Sequence, residues 1–105
     1  MKVLCGIGGQ ADAVRALDRT IERAAAAGDD LTVAVLDNPE VEMGQADVEE
    51  LVRDHLAAAS FEAAVRVVEG DPGSRLIEIA ESEGFDEIVL GGGMRSPMGK
   101  IRLGH

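Results

Sequence analysis

At 105 residues the chain is long enough for one domain, and 20 acids against 10 bases give it a formal net charge of −10, which disfavours DNA, RNA and anionic membranes as partners. Apolar residues make up 46 % but aromatics only 2 %, so the core must be aliphatic, and a single cysteine excludes an intramolecular disulfide. No apolar run approaches a membrane span, and Met1-Lys2 leads into a strand-like stretch without a signal-peptide pattern, so a cytoplasmic protein is expected.

The elements read as an alternation of strand and helix. Val3–Ile7 is a short apolar strand bounded by Gly8-Gly9. Ala13–Ala27 has helical periodicity, with Val14, Leu17, Ile21 and Ala24 or Ala25 on one stripe, i,i+3 pairs Arg15–Asp18 and Arg19–Glu22 on the other face, and Gly28 as the stop. Leu31–Leu36 is a second buried-type strand, broken by Asp37-Asn38-Pro39. Ala46–Ala59 is a helix with Val48, Leu51, Val52, His55 and Leu56 inward, and about Ala63–Val68 is the third strand. Asp71 can cap a third helix with Pro72 in its first position; Leu76, Ile77 and Ala80 face in, and Gly84 ends it. Glu87–Leu90 is the fourth strand, Gly91–Gly93 a loop, and a fourth helix is expected to begin near Pro97–Lys100.

Strands that are apolar on both faces, each followed by a helix, imply a parallel sheet covered on both sides. The fold class is therefore α/β, a doubly wound, Rossmann-like parallel sheet over residues 1–105 as a single domain. Ligands in such folds sit outside the carboxyl ends of the strands, where Gly8-Gly9, the end of the second strand at Leu36, and Gly91–Gly93 all fall.

The tail has the chemistry for that position. All 20 acids lie at or before Glu87; beyond it come Arg95, Lys100 and Arg102 and no carboxylate. A glycine loop lets backbone N–H groups approach a ligand closely, and a helix start adds donors, so Gly91, Gly92, Gly93, Arg95, Ser96 and Gly99 form a candidate anion cradle. Arg95 reads equally as a phosphate fork or as a surface arginine paired with a carboxylate. The acidic remainder suits a protein working at high salt, and a halophilic source is the favoured reading over a merely acidic protein.

The opening VLCGIGGQADAVRALD, the segment EGDPGSRLIEIAESEGFDEIVLGGG and the glycine-bearing tail together resemble the universal stress protein family, of the adenine nucleotide alpha-hydrolase-like group, over the whole chain. The resemblance implies a stress-response module that binds ATP or AMP, with Mg²⁺ accompanying it, at the tail loop. Gly91 and Gly104 match the first and third glycines of the family's nucleotide loop. The second glycine falls on Met94 and the hydroxyl-bearing position on His105. Gly8 stands where ATP-binding members carry an aspartate, and Gly8, Gly9 and the backbone near Leu36 would flank the base. A long side chain at Met94 crowds a backbone that must approach phosphate, and Gly8 removes an acceptor worth about 1 kcal/mol.

Two readings follow, a nucleotide- or anion-binding module and a non-nucleotide homodimeric scaffold read by a signalling protein partner; a weak nucleotide hydrolase ranks third. The family resemblance also implies a homodimer or higher homo-oligomer, often built through a final strand beside the fourth. That strand is expected to be absent from this chain, through truncation or a different assembly, and the fourth strand is expected to present a raw edge.

The remaining chemistry-bearing residues read blandly. Cys5 lies in an apolar run and reads as a buried, inert thiol. His55, on an apolar stripe, reads as a structural histidine. His105 is the last residue, where terminal disorder is the commoner state. Met94 and Met98 read by default as gap-fillers, the alternatives being an apolar adenine pocket or a partner surface. No metal-ligand spacing, catalytic triad or carboxylate dyad is legible, so no robust enzyme is expected.

Overall fold

In the computed structural model, which describes residues 1–8, 13–36, 44–90 and 94–97, strands and helices alternate as the apolar pattern demands. The order is β1 (Lys2–Ile7), α1 (Ala13–Ala27), β2 (Asp30–Leu36), α2 (Gln45–Ala58), β3 (Ala64–Val68), α3 (Pro72–Glu83), β4 (Glu87–Leu90) and β5 (Met94–Pro97). The sheet order is β3-β2-β1-β4-β5. The pairs β1–β2, β1–β4 and β2–β3 are parallel, and β5 returns antiparallel to β4.

Residue parity sorts the core into two layers, because successive strand side chains point to opposite faces. Val3, Cys5 and Ile7 of β1, Leu31, Val33 and Val35 of β2 and Val89 of β4 pack with Leu17, Ile21 and Ala24 of α1 and Val48, Val52 and Leu56 of α2. On the other face Leu4, Ala34, Val68 and Ile88 pack with Leu76, Ile79 and Ala80 of α3 and with Phe85. The parallel sheet covered on both faces is thus the doubly wound α/β architecture expected. Cys5 is fully buried in the first layer.

Local signals set the helix ends. Asp71 caps α3 by accepting a hydrogen bond from the Ser74 N–H at 3.1 Å, and Pro72 occupies the first turn. Gly84 closes α3 in the left-handed conformation (φ 72°), which few residues other than glycine adopt without strain. On the third helix Ile79 is the buried residue beside Leu76 and Ala80, while Ile77 is only half-buried.

Two expectations are corrected. The pairs Arg15–Asp18 and Arg19–Glu22 are not among the ion pairs of the described residues; Asp18 instead reaches across to His55 Nδ1 on α2, at 2.8 Å, and so helps tie the two helices together. A cross-helix partner at this distance competes directly with an exposed i,i+3 pair, which is worth only tenths of a kcal/mol. Nor is the edge of β4 bare. Met94–Pro97 covers it, with Leu90 opposite Met94 and Glu87 opposite Pro97. The backbone donors and acceptors of an edge strand gain partners when the chain folds back on it.

Candidate functional site

The chain runs outward from β1 to β2 and β3 on one side, then crosses back to place β4 on the other side of β1. Helices α1 and α2 cover one face of the sheet and α3 the other, so the crossovers diverge at the β1/β4 boundary. That divergence opens the crevice that ligands use in this kind of sheet. Gly6 pairs across with Leu90, and β1 runs one residue further, to Ile7, before Gly8. Gly8 and the end of β4 therefore flank the crevice, and Leu36 ends the neighbouring strand on the other side of β1.

Close packing below this edge depends on a missing side chain. A Cβ on Gly6 would lie 2.8 Å from Leu76 Cδ1 and 3.2 Å from Leu36 Cδ1. Glycine lets the first turns of α3 press onto β1. Leu36, Ile77 and Leu90 sit half-buried against the same layer and give the carboxyl edge an apolar floor.

A residue that sequence reasoning missed fastens the edge on the β2/β3 side. Gln45, the first residue of α2, donates from Nε2 to the Val35 carbonyl at 3.2 Å and to the Val68 carbonyl at 3.0 Å. One side-chain amide thereby bridges the carboxyl ends of two parallel strands and anchors the start of the helix. The sequence gives little sign of it, because a glutamine in the first turn of a helix is ordinary and its acceptors are 10 and 23 residues away.

The electrostatics of the edge favour an anion in general and constrain where it can sit. α2 and α3 both begin at this edge, with the positive ends of their dipoles toward it. At α3 that end already holds a carboxylate. Hydrogen bonding from Ser74, its side chain first and its backbone N–H second, holds Asp71 below its ordinary value of 3.8 and keeps it ionised at neutral pH. At α2 the capping position is Gly44, which makes no side-chain capping bond.

The candidate residues of the sequence reading fall into three groups. Gly8 and Leu36 lie at the carboxyl edge as expected. Met94, Arg95 and Ser96, expected in an anion loop, belong instead to strand β5, because the edge of β4 takes up their backbone. Pro97, given as the start of a fourth helix, closes that strand. Gly9, Gly91, Gly92, Gly93, Gly99, Gly104 and His105 lie outside the described residues.

A concave groove of about 690 Å³ lies at the opposite, amino edge, lined among others by Ala24, Asp29, Asp30, Phe61 and Glu62. Its carboxylates repel phosphate, and it stands away from the ends of the strands where the fold places ligands. The carboxyl edge is therefore the better candidate site.

Comparison with known proteins adds the last observations. A family model described as the universal stress protein family matches residues 1–105. A solved structure of a protein of that family from Burkholderia pseudomallei is 26 % identical, covering 86 % of this chain and 80 % of that one, with a TM-score of 0.69. A protein from Mycobacterium tuberculosis H37Rv is 23 % identical over 85 % of this chain and 67 % of its own, with a TM-score of 0.66. A universal stress protein solved in complex with cAMP is 23 % identical over 86 % and 73 %, with a TM-score of 0.65. No curated protein matches the chain.

Proposed function

The chain belongs to the universal stress protein family, and from that premise we propose that it is a stress-response module binding ATP, AMP or another phosphate-bearing anion at the carboxyl edge of its sheet. The observation that carries this reading is the β1/β4 crevice, flanked by Gly8 and Leu90, with every base beyond Glu87 following in sequence directly after it. A structural relative bound to cAMP supports the adenine nucleotide class. Mg²⁺ would accompany a triphosphate. Arg95, Lys100 and Arg102 supply the positive charge, and the half-buried Leu36 and Leu90 supply apolar surface for a base. A cytoplasmic homodimer is the form in which we expect it to act. Weak ATP hydrolysis ranks below binding, because no nucleophile and base are legible together in the sequence.

A second reading is favoured by one specific observation. Met94–Pro97 pairs with β4, which engages backbone that a phosphate loop would offer to its ligand. Under that reading the chain is a scaffold of the same family, read by a signalling partner and indifferent to nucleotide. The two separate on whether nucleotide accompanies the protein through purification. The chain has no Trp and no Tyr, so adenine absorbance stands out against it. Adenine nucleotide released on denaturation supports binding, and its absence after incubation with excess ATP supports the scaffold.

A further inference from the structure

Independently of any nucleotide, we propose that the outer edge of β3 accepts an extended, basic segment of a partner protein as an additional strand. Strand β3 reads Ala64-Val65-Arg66-Val67-Val68 and pairs with β2 from Thr32↔Ala64 to Leu36↔Val68. Among the described residues nothing pairs with its other side. Alternate residues of such a strand turn N–H and C=O groups outward, in position to extend the ladder. The opposite edge of the sheet is a poorer template, since β5 has four residues and ends at Pro97, which has no N–H to donate.

The side chains of β3 define the occupant. Val67 is 46 % exposed, and among the described residues only Met1 is a comparably exposed large hydrophobic. Glu62 and Glu69 flank the strand, exposed, and Asp71 follows. The one cation of the strand, Arg66, is already paired with Glu83 of α3. The edge therefore offers open backbone and one apolar side chain between uncompensated carboxylates. An extended segment with an apolar residue opposite Val67 and lysine or arginine beside Glu62 and Glu69 complements it.

A second copy of the chain fits less well. In an antiparallel self-pair, opposed residues share a face. Centring it on Arg66 opposes like charges, and centring it on Val67 brings the Glu62 end of each copy toward the Glu69–Asp71 end of the other, twice. Both chains also carry a net charge of −10.

The test uses a short synthetic peptide with a central threonine-valine-threonine flanked on both sides by lysines, and its glutamate-flanked counterpart, at low salt. Peptide binding is read by fluorescence anisotropy and mapped by backbone amide shifts. The lysine peptide is expected to bind saturably, to shift amides of residues 64–68, and to bind at least about tenfold more weakly to the double variant E62Q/E69Q. The glutamate peptide is expected not to bind. The variant sites are exposed, and an unchanged melting temperature verifies the fold. Equal affinity in the double variant, or shifts spread over the acidic surface away from β3, overturns the proposal. So does concentration-dependent self-association of the peptide-free protein that V67K abolishes, which would assign the edge to a second copy.

Discussion

Gly8 is the residue at which the family resemblance implies the simplest departure, since it would put an aspartate there in nucleotide-binding members. It directly follows β1 beside the crevice and is half-buried, so a side chain grown from it would stand at the carboxyl edge. Restoring the carboxylate should restore a hydrogen-bond acceptor for ribose or base. Gly8→Asp is expected to tighten ATP or AMP binding about five- to tenfold, the equivalent of ~1 kcal/mol, as measured by titration calorimetry. Unchanged affinity would place the ribose and base away from the end of β1. The same scale shows a limit of sequence reading. The role of Gly6 depends on Leu76 and Leu36, far along the chain, so nothing in its neighbours in sequence distinguishes it from a glycine that is merely tolerated.

At the scale of elements, the first turns of α2 and α3 set the geometry of the carboxyl edge. Gln45 holds the ends of β2 and β3 through two hydrogen bonds from one amide. Gln45→Ala removes both, for an expected loss of about 1–2 kcal/mol in chemical denaturation. Faster amide exchange should be confined to the carboxyl ends of β2 and β3. A uniform change across the sheet would show that Gln45 acts on global stability alone.

Asp71 gives a pH signature at the start of α3. Its carboxyl is held below 3.8 in the folded chain, so its contribution is fully present above the ordinary carboxylate range and is lost as pH falls through the lowered folded value. Asp71→Ala should lower the melting temperature at neutral pH, and the gap from wild type should narrow on acidification. A gap that stays constant with pH would mean that the charge of Asp71 contributes nothing to the cap. These helix starts also show what was legible. Asp71 and Pro72 announce α3 by their chemistry, and the apolar strands announce the parallel sheet. Strand β5 is not legible because Met94-Arg95-Ser96-Pro97 carries no strand periodicity. Pairing with the adjacent edge of β4, which the residues of 94–97 do not announce by themselves, holds Met94–Pro97 extended.

For the whole molecule, the charge distribution is the feature with the widest consequence. A net charge of −10 on 105 residues means self-repulsion that added salt screens. The melting temperature is expected to rise from low to molar KCl, with the described surface pairs Arg53–Glu49 and Arg75–Glu78 too exposed to reverse the trend. A melting temperature that is flat or falls would remove the high-salt reading of the composition. The acidity also bears on the proposed binding, because an anion meets a protein of net charge −10 whose bases beyond Glu87 lie in a run of sequence without carboxylates.

The most direct measurement is isothermal titration of ATP and AMP, each with Mg²⁺, into the full chain at high salt. Saturable heat with micromolar affinity is expected for at least one of them, which would show that Gly8 and Met94 are tolerated in a nucleotide site. No heat at millimolar nucleotide would contradict it and leave the chain as the family's nucleotide-independent scaffold.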